Sequence, residues 1–375
     1  MKVALVHDYL REYGGAERVL KVLSDIYPNA PIYTAFRVKG STAGIEFQDK
    51  RIVESWLAPL LKIGKLYSPL RFLAPLIWKS FNLGDYDLVI TSCSWYISRG
   101  FRISPKTKVV AYCHTPPRWL YGYETSVGFT KYWFVRAYSL IVGHFMRMYD
   151  FASAQAVKFW IANSENVKER IKKYYRKDSV VIYPPVDVEK IITVARKMKN
   201  KKNGGYFLIV SRLVGAKGIE EAVKVFSRLG DGYKLKIVGE ASGYSQVESR
   251  IRTNKYKNVE LVGRVDDETL FRLYSKARGF IALARDEDFG MTPVESQAAG
   301  TPVIAFRGGG FRESVVDGIN GVLISDTDEE TIKDAIIRFN KIKWNKEKIQ
   351  TLAMKFSRKR FEKEIREYMN IKLGI

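Results

Sequence analysis

Short runs rich in Val, Ile and Leu recur along this chain with amphipathic stretches between them, and no other feature constrains the fold as tightly. In the first half they are Lys2–His7, Leu88–Thr91, Lys108–Cys113, Trp160–Asn163 and Val180–Tyr183. In the second half they are Tyr206–Val210, Leu235–Val238, Val259–Val262, Gly279–Leu283 and Pro302–Phe306. A strand with one wet face alternates apolar and polar residues. Runs that stay apolar belong to strands covered on both faces, as in parallel sheets sandwiched by helices. The intervening segments carry helix signals. One begins near Gly15, Ser164 stands before Asn166–Tyr174, and Asp266–Ala277 has acids in its first turn, where they complement the helix dipole.

The expected fold is therefore α/β, with two doubly wound Rossmann-like domains. At 375 residues the chain exceeds what one core usually serves. The polar run Lys197–Gly205 divides the strand–helix series near its middle. Residues 1–186 are read as the first domain, 187–204 as a linker and 205–350 as the second domain. The charged, periodic segment Trp344–Leu373 reads as a closing helix, assigned from residue 351 to 375.

A count of 63 basic against 40 acidic residues gives a formal charge of +23. Such a field attracts nucleic acid, anionic membranes or phosphorylated small molecules alike. Cys93 and Cys113 lack metal-ligand spacing, and three histidines are too few for a histidine-rich metal site. Met1–Val6 is too short for a signal-peptide core, and no run approaches a transmembrane length. A reducing cytosol fits best.

The densest chemistry lies between Ile281 and Glu313. A strand leads into Arg285-Asp286-Glu287-Asp288, then Phe289-Gly290-Met291 and a helix containing Glu295. A helix N-terminus offers free amides and a positive dipole end to a diphosphate. For Asp286 and Asp288, dipole stabilisation suffices; Glu295, inside a small and apolar helix, needs a partner. Arg212 and Lys217 sit in another strand-end loop and can neutralise a leaving diphosphate. In the first half, Asp8 and Tyr9 precede the Gly14-Gly15 turn, where backbone can approach a phosphate or an acceptor. His114 ends a strand before Thr115-Pro116-Pro117-Arg118.

The ordered series Glu287-Asp-Phe-Gly-Met-Thr-Pro-Val-Glu295, Ala298 to Ala305, Gly309-Gly310, Glu313 and Gly318-Ile-Asn-Gly321 resembles the donor signature of retaining GT-B glycosyltransferases of family four. That resemblance implies two domains facing across a cleft, with the C-terminal helix crossing back to the first. It implies that Glu295 holds the ribose of a nucleotide, that Glu287 holds the donor sugar, and that the amides of Phe289, Gly290 and Met291 approach sugar and diphosphate. Arg212 and Lys217 resemble the family's phosphate-binding pair. Gly263-Arg264-Val265 resembles the loop that meets the nucleobase, and Gly14-Gly15-Ala-Glu17 a recurrent turn of the family. By the same resemblance His114 contacts the donor sugar, and Asp8, Tyr9 and Arg118 line the acceptor side. The family usually has Gly where Asp288 stands.

The function so implied is transfer of a hexose, with retention, to a hydroxyl of a lipid-linked or polysaccharide acceptor, without metal or cofactor. Residues around His114 and Pro184-Pro185 look closest to mannosyltransferases, hence GDP-mannose as donor, with a UDP-sugar as the alternative. The segment Trp56–Leu83 mixes Leu, Ile, Trp and Phe with Lys62, Lys65, Arg71 and Lys79. It reads as an anionic-membrane contact on the inner face of the cell membrane, or else as core helices with snorkelling lysines. The rival from another class is a basic nucleic-acid-binding protein, for which no RNP, zinc-finger or helix-turn-helix pattern is present.

Overall fold

The computed structural model describes residues 1–64, 66–123, 133–198, 205–230, 232–241, 246–254 and 256–374. The chain divides into two compact units. The first comprises Met1–Tyr123 and the described parts of Thr130–Pro185 and Lys359–Ile375; the second contains Val186–Arg358.

The first unit is built on seven parallel strands: β1 (Val3–His7), β2 (Ile32–Thr34), β3 (Ile52–Glu54), β4 (Leu88–Cys93), β5 (Lys108–Cys113), β6 (Phe159–Ala162) and β7 (Val180–Val181), in the order β3-β2-β1-β4-β5-β6-β7. Neighbouring residues on a strand are buried in opposite layers. Val6, Val89 and Trp160 pack with Trp78 and Ile77 on one face. Leu5, Ile90 and Ile161 pack with Leu20 and Leu23 of the Gly15–Ile26 helix on the other. Two covered faces explain why the runs are unbroken.

The second unit carries six parallel strands: β8 (Tyr206–Val210), β9 (Lys234–Val238), β10 (Val259–Gly263), β11 (Gly279–Ala282), β12 (Val303–Phe306) and β13 (Gly321–Ile324), ordered β10-β9-β8-β11-β12-β13. Phe207, Ile209, Ile237, Ile281 and Ile304 bury one face against Phe226 and Ile336 from helices.

Three expectations need correction. The linker begins with a helix, Val188–Lys197, that belongs to the second unit. Val188 and Ile191 are its buried positions, and Asp187 and Glu189 stand at its start. Residues 199–204 of that linker lie outside the described residues.

The closing segment is two helices. Lys346–Ala353 belongs to the second unit and Arg358–Leu373 almost wholly to the first. Ser357 is extended between them, because Val186 takes the backbone bonds that a continuous helix would use: Val186 N–H donates to Phe356 O and Arg358 N–H to Val186 O. The boundary therefore falls near residue 358 rather than 350.

The third correction concerns three strands, β2, β3 and β13, of three, three and four residues, which the series of apolar runs did not include.

The 56–83 segment forms Ala58–Leu61, Pro69–Leu73 and Ala74–Ser80, broken by its prolines. It is divided between core and surface. Leu61, Ile77 and Trp78 are buried, whereas Trp56, Ile63 and Leu76 are 65%, 60% and 54% exposed. Lys65 lies outside the described residues. Arg71 stacks between Trp95 and Trp119 at 4.7 and 4.8 Å. Among the described residues no helix is long and apolar enough to cross a membrane.

Candidate active site

In each sheet the strand order reverses once, between β1 and β4 in the first and between β8 and β11 in the second. Helical connections leave such a pair toward opposite faces, so their loops part and open a crevice beyond the carboxyl ends. Most of the expected site residues follow strands of these two pairs, while His114 and Arg118 follow β5 and Arg264 and Val265 follow β10.

In the second unit the β8 loop carries Arg212 and Lys217, and Gly218 turns into the Ile219–Arg228 helix. Gly218 has φ +67°, and a Cβ there would lie 2.5 Å from Leu283 Cβ. Only glycine lets the β8 loop settle this closely on the β11 loop. That contact brings Lys217 Nζ onto Glu287 as an ion pair, both groups largely shielded from solvent. Arg212 is exposed, and no hydrogen bond or ion pair holds its guanidinium among the described residues.

The β11 loop ends at Gly290, φ +86°, which caps the Met291–Ala298 helix. A Cβ on Gly290 would lie 2.5 Å from the Phe311 ring. Phe289 is buried against Phe356, ring centroids 5.3 Å apart. From below, Gly308, Gly309 and Gly310 lay their backbone on that of Arg285–Phe289. Gly310 N–H donates to Glu287 O at 2.9 Å, and a Cβ on Gly309 would stand 2.1 Å from the same oxygen. The loop bearing Glu287 is thus supported by main chain, the stiffest support available. One helical turn on, Glu295 is 4% exposed and its Oε2 accepts the Tyr274 hydroxyl proton at 2.8 Å. Arg264 and Val265 follow β10, which is two strands from β8, with Asp266 capping the next helix through Thr269 N–H at 2.9 Å.

In the first unit, Asp8 and Tyr9 follow β1, and Gly14 and Gly15 open the first helix. The Gly14 amide donates to Glu17 Oε2 at 2.9 Å. Asp8 is buried. Its Oδ2 accepts from Ser94 N, Ser94 Oγ and Tyr96 N at 3.1, 2.9 and 3.1 Å. Among the described residues its Oδ1 is buried without a hydrogen-bond partner. Tyr9 stacks on Phe36 at 5.2 Å. His114 follows β5, is buried, and meets Ser92 Oγ through Nε2 at 2.8 Å. Burial, then the charge of His7, depresses its pKa from 6.5 to about 3. Arg118 stands in a short turn, Arg118–Leu120, beyond Pro117.

Sequence reasoning passed over Tyr274, His7, Ser92 and Glu17. Tyr274 lies 21 residues from Glu295, and Ser92 lies 85 from His7 and 22 from His114. The pairing of β1 with β4, which sets His7 beside Ser92, is a fact of topology. Only the Gly-Gly-Ala-Glu turn gave a local signal for Glu17.

In the second unit a glycine-supported carboxylate therefore stands beside the amides of a helix start. Two family models match most of the chain between them. Glycosyltransferase Family 4 matches residues 13–190 and Glycosyl transferases group 1 matches residues 190–355; the chain belongs to this GT-B glycosyltransferase family. An uncharacterized glycosyltransferase of Methanocaldococcus jannaschii is 27% identical over 177 residues, 47% of this chain and 48% of that protein. The O-antigen chain mannosyltransferase RfbU of Salmonella typhimurium is 31% identical over 203 residues, 50% of this chain and 55% of that one. The chain thus spans about half the length of the curated relatives it matches. Among solved structures, Anabaena HepE in complex with UDP-glucose is alike in fold, with a TM-score of 0.69 at 17% identity over 99% of this chain and 100% of that one.

Proposed function

We propose that this chain is a glycosyltransferase that moves a hexose from a nucleotide-sugar to an acceptor hydroxyl with retention at the anomeric carbon. The observation that carries this reading is the Lys217–Glu287 pair beside the Met291–Ala298 helix start, with Glu295 buried one turn on. Glu287 accepts from sugar hydroxyls and Glu295 from ribose hydroxyls. Arg212, Lys217 and the amides of Phe289, Gly290 and Met291 take the diphosphate. Arg264 and Val265 lie toward the base. His114, Gly14 and Gly15 belong to the donor, and Asp8, Tyr9 and Arg118 to the acceptor.

In the reaction the bond between the anomeric carbon and the phosphate oxygen breaks as the acceptor oxygen bonds to the same face. The acceptor proton passes to the departing phosphate oxygen, and the nucleoside diphosphate leaves. Charge builds on that phosphate, and each well-placed cation or amide contributes about 3 kcal/mol to its stabilisation. No metal and no cofactor is invoked, so chelation with EDTA leaves the rate unchanged under this reading.

GDP-mannose is the proposed donor, in keeping with the likeness to the mannosyltransferase RfbU. A UDP-sugar is the second reading, favoured by the fold likeness to HepE bound to UDP-glucose. Thermal-shift titration with GDP, UDP and ADP separates them. The nucleotide that raises Tm then selects donors for a transfer assay. No shift with any of the three would sink the reading.

We further propose a lipid-linked or polysaccharide acceptor reached from the inner, cytoplasmic face of an anionic membrane. The 56–83 segment has a companion in the Trp133–Gln155 helix, where Leu140, Ile141, Phe145 and Met148 are 58–71% exposed. Tyr138 of that helix bonds Pro69 O and meets Phe72 edge-on at 6.4 Å, so the two apolar surfaces join. Residues 55–84 and 125–149 contain no Asp or Glu but carry Lys62, Lys65, Arg71, Lys79, Lys131, Arg136 and Arg147. Lys62 is paired with Glu54 at 2.8 Å, and an apolar surface whose own segments are basic and lack acids suits an anionic bilayer. Co-sedimentation with phosphatidylglycerol vesicles and not with phosphatidylcholine is expected; failure of the wild-type chain to bind either removes the proposal.

A further inference from the structure

Four side chains of the first unit form an unbroken line. Glu17 Oε1 lies 3.3 Å from His7 Nε2, and His7 Nδ1 lies 3.1 Å from Ser92 Oγ. Ser92 Oγ in turn lies 2.8 Å from His114 Nε2. His7 ends β1, Ser92 is the penultimate residue of β4 and His114 follows β5, three adjacent strands beside the place where the sheet order reverses. All three are buried. Glu17 is anchored independently, since its Oε2 receives the Gly14 amide.

Each atom in a buried line must meet a complementary partner, and that requirement orders the protons. A carboxylate only accepts, a hydroxyl gives one proton and accepts another, and a neutral imidazole has one N–H and one lone pair. Where His7 is neutral, its Nε2 donates to the Glu17 carboxylate and its Nδ1 is left as a lone pair, whereas a protonated His7 would reverse the order. The Ser92 hydroxyl donates to that Nδ1. Ser92 Oγ is then left to accept, and His114 must present Nε2–H to it. In that order His114 Nδ1 carries no proton, and it has no hydrogen-bond partner among the described residues.

We propose that Glu17, His7 and Ser92 are positioning residues that hold His114 as its Nε2–H tautomer, so that His114 Nδ1 accepts a hydroxyl proton from the bound donor sugar. The proposal rests on the reading that His114 meets that sugar. Its chemical content is a selectivity. A sugar hydroxyl can donate to the bare nitrogen, whereas a carbonyl oxygen at the same place would oppose one acceptor with another. Burial keeps His114 neutral, with its pKa near 3, so the imidazolium does not compete at neutral pH.

The test uses the full chain labelled with isotopic histidine and no ligand. Two-bond nitrogen–proton correlation at neutral pH distinguishes the tautomers. The chain has three histidines, and His144→Gln on an exposed helix position identifies the third. The expected spectrum has His114 protonated on Nε2 and bare on Nδ1. Ser92→Ala cuts the line and yields a tautomer mixture, whereas Ser92→Thr keeps the hydroxyl and the order. Glu17→Ala produces the same mixture from the far end, which serves if Ser92→Ala does not fold. A wild-type His114 protonated on Nδ1, or a ratio unmoved by either truncation, overturns the proposal. In transfer assays Ser92→Ala lowers kcat/KM about tenfold, the loss of one hydrogen bond, and Ser92→Thr restores it. An unchanged kcat/KM likewise overturns it. The spectrum needs no donor, so an ordered His114 without transfer from any nucleotide-sugar would count against the transferase reading alone.

Discussion

Gly310→Ala tests how the Glu287 loop is supported. Gly310 has φ −70° and ψ −11°, an ordinary conformation for alanine, so the substitution adds no backbone strain. The added methyl has nowhere to go. It would lie 2.3 Å from Phe289 Cα, 2.6 Å from Asp288 O and 2.8 Å from Phe289 O, all main-chain atoms. To restore carbon contact, the loop carrying Glu287 and Phe289 must retreat by about 1 Å, and a misplacement of that size costs on the order of 100-fold in rate. The stability loss is smaller, about 1–3 kcal/mol for an overpacked site, so the variant still melts cooperatively. The assay is initial transfer rate with the nucleotide-sugar chosen by thermal shift, beside urea unfolding. Gly230→Ala is the control, since a methyl there meets nothing within 4 Å. A Gly310→Ala enzyme retaining more than half of wild-type kcat/KM would refute the view that main-chain contact sets the position of Glu287.

Other perturbations divide binding from folding. Lys217→Ala lowers kcat by about 100-fold or more if its ammonium stabilises the leaving phosphate, with Tm little changed; normal turnover excludes that role. Tyr274→Phe removes the hydroxyl bonded to Glu295 and costs about 1 kcal/mol in unfolding free energy, measured by urea titration. His114 contributes a pH dependence whose sign is fixed. Its folded pKa, about 3, lies below the unfolded 6.5, so the unfolded chain alone binds the proton between those values. Stability is full above pH 6.5 and falls as pH drops toward 3, by up to about 1.4 kcal/mol per unit, and His114→Asn should flatten that slope. An identical slope in the variant would contradict the assignment.

The parallel strands were legible because both faces of each sheet are covered, which leaves the longest runs apolar throughout. Ile32–Thr34 and Ile52–Glu54 escaped because each is short and ends in a polar residue, Thr34 or Glu54, so neither makes a continuous apolar run. The Val188–Lys197 helix was hidden for a different reason. Its apolar periodicity lies directly before the glycine-ended basic run, and the boundary signal was extended back over it. At the site, Arg212, Lys217, Glu287 and Glu295 stood out as charges beside strand ends and helix starts, which are local features. The Ser92 line could not stand out, because a serine in a strand acquires meaning only from its neighbours across the sheet. The same holds for Tyr274 and for the contact of Lys217 with Glu287, separated by 70 residues.

The Arg358–Leu373 helix has a consequence for the order in which the molecule can be made. Phe361, Ile365, Tyr368, Met369 and Leu373 complete a core layer whose other members include Leu5, Leu20, Ile90 and Tyr112. A ribosome delivers the seven strands of the first sheet early, yet that layer stays open until the whole second unit has been synthesised. The second unit, to which this helix beyond Arg358 does not belong, can close before the helix is made. For much of its synthesis the growing chain therefore displays an apolar face that the Arg358–Leu373 helix will later cover, a window in which chaperones or aggregation compete with folding.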